Sequence, residues 1–432
     1  MFLEEKIKDF VFHPEVYVYP TPRTYKPLDN FSLDQVNFGE DINLYLHIPF
    51  CKQICSFCGY LKMIDSVDLR KKYVNSIRKE IEMYRNVLRN KRVKTLHFGG
   101  GTPSLLSFSD LERIFDSLLE INPNILNTAK EVSIEATPES IGYEKFSDFR
   151  TLGINRVSMG VQTLNDSEIA LSRRHNLSSI SLRAVETLRD IEIPNIVIDL
   201  MIGIEGQTVK SFEESVLGIL QVKPETVELY ALGLMPNTIL NRNSNSRMSN
   251  KEIYQCYDLG RLLFLREGYK QDCHNRYAIP ERGSFLQEDF VFRGTGLIGF
   301  GAGARSYAQN MHYRNSPHSS HPKKAIHKYM EAVESGKLPI STGVVISPEE
   351  KIRQFAVYNI ESLDKKEFQE IFGIDFRQRF CQLYQELLKL DLACENDSFI
   401  KLTPKGLNFR DLIAYQLFSN EVKLVEEAYR PK

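Results

Sequence analysis

The chain has 432 residues, with 55 Lys and Arg against 56 Asp and Glu, for a formal net charge of −1. So balanced a charge gives no general pull toward nucleic acid or anionic lipid. A composition 42% hydrophobic and 26% charged is that of an ordinary soluble globular protein, long enough for about two to four domains. No apolar run nears the ~18 residues of a membrane span. The start MFLEEKIKDF lacks the apolar core of a signal peptide. Seven cysteines, an odd number unevenly spread, argue against a disulfide framework and for a reducing, cytoplasmic setting.

Residues 1–40 are rich in Pro, Tyr and Phe (VYVYPTPRTYKPL) and read as an extended arm. A regular alternation begins at NLYLHIPF (43–50), a strand. A helix across 70–89 follows, where Tyr73, Ile77, Ile81, Tyr84 and Leu88 recur at helical spacing. KTLHF (94–98) is a strand and 109–120 a helix. EVSIEA (131–136) precedes a helix near 140–151, RVSMGVQ (156–162) one across 177–190, and NIVIDLMIG (195–203) one across 209–221. TVELYAL (226–232) is the sixth strand, and a helix at 251–267 follows the polar loop NRNSNSRMSN (241–250). Six strands joined by helical segments predict parallel βα units with right-handed crossovers, which an open sheet and a partial barrel both satisfy. The chain is then Gly-rich through GTGLIGFGAGARS (294–306). Residues 311–345 read as a polar linker, and 346–432 as a helical, charged unit. Within that unit LTPKGLNFRDLIAYQLF (402–418) has the strand, turn and helix of a small winged-helix-like domain. The balanced charge argues against its reading DNA.

Three of the seven cysteines, Cys51, Cys55 and Cys58, fall within eight residues at C-x3-C-x2-C spacing. Thiols that close cannot share one regular helix or strand face and suit a loop around something compact. Zinc usually takes four protein ligands in a structural site, and no fourth Cys or His lies at ordinary spacing. Three thiolates suit an iron–sulfur cube with one iron left open. Incidental buried cysteines, or a zinc loop borrowing a distant ligand, are the competing readings. Cys256, Cys273, Cys381 and Cys394 stand alone and read as small core hydrophobes.

In parallel βα architectures active sites form at the C-terminal strand ends. Cys51 follows the first strand, Gly99-Gly100-Gly101-Thr102-Pro103 the second, Glu135 closes the third and Gln162 the fourth, and Asp199 lies inside the fifth. Convergence from five strand ends is harder to reach by chance than any one residue. Asp199, set in IVIDLMI, is expensive to bury alone and calls for a partner.

YLHIPFCKQICSFCGY, followed in order by HFGGGTPS, SIEATPES, GVQTLND and IDLMIGIEGQT, resembles the HemN/HemW branch of the radical S-adenosylmethionine (SAM) family, which includes oxygen-independent coproporphyrinogen III oxidase. The resemblance covers about residues 43–310, and the C-terminal segment looks like the HemN C-terminal domain. It implies a partial (β/α)6 TIM-type barrel over 41–310 and the small C-terminal domain over 346–432. It implies that Cys51, Cys55 and Cys58 hold a [4Fe–4S] cluster whose open iron takes SAM, and that one electron from the cluster breaks the sulfonium bond to give a 5′-deoxyadenosyl radical. The cofactors carry the hard chemistry, so no catalytic acid, base or nucleophile is expected among the side chains.

Residue by residue, the resemblance puts Tyr45, Phe57, Gly100 and Glu135 against the first SAM, with Arg305 of GAGARS loosely matched to a residue lining it. A second SAM, where one binds, would meet Gly101, Thr102, Gln162, Arg174, Asp199 and Gly233. The expected reaction is hydrogen abstraction, with methyl transfer or oxidative modification of an aromatic or tetrapyrrole-like small molecule. The expected partner is a reductant such as flavodoxin or ferredoxin. Tyr60 stands where the oxidase has a further cysteine, and the Tyr/Pro arm also departs from the oxidase pattern. Porphyrinogen decarboxylation is therefore one alternative. A HemW-like heme carrier is the other, for which His312, His318 and His321 of MHYRNSPHSSHP would be loop ligands.

Overall fold

The computed structural model describes residues 3–8, 18–29, 31–233, 238–240, 248–316 and 321–428. Six strands, β1 (Asp41–Ile48), β2 (Arg92–Gly100), β3 (Glu131–Ala136), β4 (Arg156–Gln162), β5 (Asn195–Ile202) and β6 (Thr226–Ala231), pair parallel in sequential order. Helices α1 (Val67–Met83), α2 (Phe108–Ile121), α3 (Tyr143–Thr151), α4 (Ser178–Asp190) and α5 (Val209–Val222) make the crossovers, and α6 (Asn250–Arg266) packs on α5. The strands are largely buried on both faces, with apolar side chains toward the covering helices and polar ones such as Asn43, His47 and Asp199 toward the interior. The helix expected over 70–89 breaks at Tyr84, a buried ring whose backbone leaves the helical ladder before a last short turn at Arg85–Leu88.

A seventh strand, β7 (Gly296–Phe300), pairs parallel to β1 on its other side. Three antiparallel strands continue outward: β8 (Arg305–Tyr307), β9 (Met311–Asn315) and β10 (Ile340–Val345). The short pair Lys26–Pro27 ends that edge, and the hairpin Lys270–Cys273/Arg276–Ala278 ends the other, beyond β6. The ladder is an α/β sheet of 13 strands that does not close on itself among the described residues. Residues 311–345, read from sequence as a polar linker, are instead part of this sheet, with helix α7 (Pro322–Glu334) between β9 and β10. The polar residues there are buried partners rather than solvated spacers: Asn315 is fully buried and donates to Glu80 of α1 at 2.5 Å.

The C-terminal residues form a second core. Helix α8 (Pro348–Asn359) leads into a three-stranded antiparallel sheet, Ser362–Asp364, Phe399–Leu402 and Ala393–Glu395, wrapped by short helices. Phe355, Phe368, Phe376, Leu387, Ile400 and Ile413 fill it. The N-terminal arm is not simply extended. Leu3–Lys8 is helical, and Leu3 and Tyr19 insert into this second core. Tyr19 gives its backbone N–H to the Tyr358 hydroxyl at 3.0 Å, its ring oxygen accepts from Ser419 N–H at 3.0 Å, and its carbonyl accepts from the Gln354 amide at 2.8 Å. No described helix is long and apolar enough to cross a membrane.

Candidate active site

One wall of the site is built on β1, β2 and β3. Tyr45 and His47 point the same way from β1, as residues two apart on a strand must. The Tyr45 hydroxyl bonds to His47 Nδ1 at 2.9 Å, and His47 Nε2–H donates to the Leu61 carbonyl at 3.1 Å, which orients the imidazole. On β2, His97 holds Ser133 at 2.7 Å through Nδ1 and Glu135 Oε1 at 3.3 Å through Nε2, with its ring stacked 5.7 Å from Tyr45. The other Glu135 oxygen accepts the Gly100 N–H at 3.0 Å. Burial alone would raise the Glu135 carboxyl. His97, the Gly100 N–H and the nearby His47 outweigh it and hold the group below the ordinary carboxylate range.

Gly100 is where the backbone must turn. Its φ of +121° is closed to other residues, and a Cβ there would sit 2.7 Å from the His47 ring. The turn aims Gly101 N–H at Ile48 O and Thr102 N–H at Phe50 O, both at 2.8 Å, so the glycine run lies directly against the entry to the cysteine loop. A Cβ on Gly101 would stand 2.9 Å from Cys51 Sγ. The loop is then pinned at three points. Asp65 N–H donates to Cys51 O at 2.9 Å, Ser56 N–H to Ser172 O at 3.1 Å, and Leu240 N–H to Ser56 O at 2.9 Å.

The three cysteines are half-buried and sense one another. Burial pushes the Cys51 thiol up to about 12. A hydrogen bond from the Thr102 side chain opposes this, and the neighbouring Cys58 and Cys55 add to it. Cys55 is raised in the same way, opposed by the Arg174 charge. Thiols so placed are protonated until an electrophile takes them, at which point the protons leave.

A second wall is built on β4 and β5 around Gly160. Gly160 and Asp199 are register partners, and a Cβ on Gly160 would lie 2.8 Å from Gln162 Nε2 and 4.0 Å from Asp199 Oδ2. Arg174 donates to the Gly160 carbonyl at 2.6 Å and the Val161 carbonyl at 3.2 Å. Three of the expected residues, Gln162, Arg174 and Asp199, therefore converge on one backbone position. A register shift between Gly160 and Gln162, with Gln162 at φ +74°, re-aims the glutamine out of the strand alternation. Asp199 accepts from the Ser158 hydroxyl at 3.2 Å. Burial and the Glu135 charge push its carboxyl up to about 6, against Arg156, Ser158 and Arg174. Gln162 Oε1 and Arg174 Nε are buried without a hydrogen-bond partner.

Of the remaining expected residues, Thr102 is buried beside Cys51, while Phe57 in the cysteine loop and Gly233 after β6 are half-buried. Arg305 is half-buried on β8, at the level of Tyr45 and two strands away. Tyr60 is 70% exposed, so it does not fill the core in place of the oxidase's cysteine. His312 is not a loop histidine. It is buried on β9, and its Nε2 accepts from the Gln354 amide at 3.1 Å. The alternating polar run MHYRN hid a strand whose inward positions carry polar side chains. His321 is exposed at the start of α7, and His318 lies outside the described residues. Cys381 and Cys394 are exposed rather than core hydrophobes, one on the outer face of a helix and one on an edge strand; Cys256 is buried as expected. His47, His97 and Ser158 were missed, although the HFGGG run places a histidine two residues before the glycine turn.

Comparison with known proteins gives this geometry its class. Residues 45–217 match the Radical SAM superfamily, and the β1-to-β5 region with its cysteine loop and glycine turn is that domain. The matches that follow support the HemN/HemW-like radical SAM family for this chain. It is 26% identical to oxygen-independent coproporphyrinogen III oxidase of Pseudomonas aeruginosa over 421 residues, 91% of this chain and 89% of the relative. It is equally 26% identical to the heme chaperone HemW of Bacillus subtilis, over 84% of this chain and 95% of the relative. Among solved structures, coproporphyrinogen III oxidase (HemN) from Escherichia coli shares the fold, with a TM-score of 0.81 at 22% identity over 96% of this chain and 98% of that one.

The family's cofactors, a [4Fe–4S] cluster and SAM, are accordingly those of this chain. The residues present fit them. Among the described residues no three His, Cys, Asp or Glu side chains are grouped to hold a single metal ion. A cube gives each thiolate its own iron and does not need such a grouping. Gly100 and Gly101 leave open the space that side chains would fill beside the loop, and Gln162 and Arg174 keep unspent polar atoms facing inward.

Proposed function

We propose that this chain is a HemN-like radical SAM enzyme that modifies an aromatic or tetrapyrrole-like small molecule, by methyl transfer or by oxidation. In this reading Cys51, Cys55 and Cys58 hold the cluster, which supplies one electron to open the sulfonium of a SAM bound at its free iron. Tyr45, Phe57, Gly100 and Glu135 hold that SAM, with Arg305 at the far end of the wall. The Glu135 carboxylate, already organised by His97 and the Gly100 N–H, is an acceptor for its polar groups. Gly101, Thr102, Gln162, Arg174, Asp199 and Gly233 bind a second SAM.

The observation that carries the reading is the convergence around Gly160. An anionic carboxylate, a re-aimed amide and a buried guanidinium with an unspent N–H face one space beside the cysteine loop. That set suits a ligand bearing a cationic centre and a carboxylate. The partners that go with the reading are a small-molecule substrate and an electron donor of the flavodoxin or ferredoxin kind, in the cytoplasm, with no nucleic acid. The similarity to HemW supports a second reading, a heme carrier without turnover. The commitment of buried His312 to Gln354 removes one of that reading's ligands.

Anaerobic incubation with SAM and a reductant, followed by mass spectrometry of the nucleosides, tests the proposal. 5′-Deoxyadenosine with S-adenosylhomocysteine supports methyl transfer, and 5′-deoxyadenosine alone supports abstraction or decarboxylation. Neither product, together with stoichiometric hemin uptake, replaces the enzyme with the carrier.

A further inference from the structure

The hairpin β8–β9 carries a second polar cluster, of which the cofactor walls use Arg305 alone and only at their far end. Its register pairs Arg305 with Arg314 and Tyr307 with His312, so all four side chains leave the same face of the sheet. Gly299 of β7 lies opposite Arg305 on that face and is itself the register partner of Tyr45. The face is thus the one that bears Tyr45, and Gly299 puts no side chain between the arginine and the tyrosine. The charge of Arg305 is felt at both Tyr45 and Tyr60.

Two guanidinium groups side by side repel, and proteins ordinarily place a carboxylate between them. Among the described residues neither arginine has one within ion-pair distance. The walls are phenols: Tyr307 is on the same strand face as Arg305, and Tyr25 of the arm and Tyr358 of α8 lie close around the pair. Three polar atoms here are buried without a partner, Arg314 Nε, the Tyr25 hydroxyl and His312 Nδ1. The Gln354 amide N donates both to Tyr19 O and to His312 Nε2, which leaves the imidazole proton on Nδ1. All three orphans are therefore donors or can act as donors. Unpaired cations beside unspent donors call for an acceptor with two oxygens.

We propose that Arg314, Arg305 and Tyr25 form an anion subsite that receives a carboxylate of the substrate at the edge of the barrel mouth. This deepens the proposed function and rests on its placing the substrate over that mouth. The substrate is then an acid anchored by its carboxylate on β8–β9, with its reacting carbon directed toward Tyr45 and the cluster loop. The site is distinct from the Gly160 wall, which lies across the sheet on β4 and β5.

Succinate serves as the probe, titrated into the cluster-reconstituted full chain, with thermal unfolding as the readout and sodium chloride at matched ionic strength as the control. The expected result is a saturable rise in Tm with succinate alone. Arg314→Gln should weaken it on the order of tenfold, as loss of a charge-assisted hydrogen bond requires, and Arg314→Lys should restore part of it. Tyr25→Phe, which leaves both cations in place, should weaken it less and covers the case in which Arg314→Gln does not fold. SAM affinity should be unchanged in Arg314→Gln. No saturable effect in the wild type, or an equal effect in Arg314→Gln and Tyr25→Phe, overturns the subsite. Competition between SAM and succinate, with SAM affinity lowered in Arg314→Gln, also overturns it, because the anion would then be SAM's own carboxylate. None of these readouts depends on turnover, so failure to detect 5′-deoxyadenosine would count against the enzyme reading and leave this result standing.

Discussion

Replacing Asp199 with Asn keeps the shape of the side chain and its bond with Ser158 but removes the charge facing Gly160. With its carboxyl pushed up to about 6, wild-type Asp199 is close to fully ionised at pH 8. A hydrogen bond to a charged acceptor is worth roughly 1–1.5 kcal/mol more than one to a neutral acceptor. At about 1.4 kcal/mol per decade, Asp199→Asn should weaken the second SAM by ~5–12-fold. The first SAM sits on the β1–β3 wall and should be untouched. Equilibrium dialysis of anaerobic, cluster-loaded protein at pH 8 should count about two SAM per wild-type chain. In the variant the count should fall toward one at moderate SAM. The sign of the pH dependence follows. The ionised form binds, so wild-type affinity at this site should fall as pH drops through about 6, while that of the variant stays flat. A wild-type stoichiometry of one that the mutation leaves alone would refute the reasoning and make Asp199 a structural residue.

Cys51→Ala, Cys55→Ala and Cys58→Ala should each abolish SAM cleavage and the content of about four irons per chain. The exposed Cys381→Ala and Cys394→Ala should keep both, by iron assay after reconstitution. Gly100→Ala meets a closed φ and the His47 ring at 2.7 Å, so it should cost about 1–3 kcal/mol in urea unfolding and disturb SAM binding through Tyr45. Glu80, fully buried, is pushed up to about 7 by burial, against hydrogen bonds from Tyr329, Gly301 and Asn315. Its raised value stabilises the fold fully below about pH 4.5, and that contribution is lost as pH rises through about 7. Wild-type stability should therefore decline by roughly 3 kcal/mol over that window relative to Glu80→Gln, measured by denaturant unfolding at several pH values.

The βα repeat was legible because each strand carries apolar, β-branched residues toward the helices and the longer helices show an apolar stripe, as in NIVIDLMI and the Tyr73–Ile77–Ile81 series. The site was legible in part because its glycines, cysteines and lone carboxylates interrupt those patterns at strand ends. The β8–β9–β10 extension was not, because its inward residues are Arg305, His312 and Arg314, and polarity facing inward reads the same as polarity facing solvent. His97 escaped for a related reason. A histidine in an apolar strand gives no sign of which neighbour it serves until the adjacent strand supplies Ser133 and Glu135. The arm escaped because its anchor, Tyr19, finds its partners more than three hundred residues away.

That separation sets an order of events during synthesis. Tyr19 leaves the ribosome 400 positions ahead of Ser419, its partner. At about 5–20 residues per second the arm waits roughly 20–80 s for the core it belongs to. The barrel strands and the cysteine loop are all made within that interval, and so is β10, whose Gly343 and Thr342 pair with Lys26 and Pro27 beside Tyr25. The loop of Cys51, Cys55 and Cys58, which would take the iron and sulfide of the cluster, is thus complete well before Tyr19 meets Ser419.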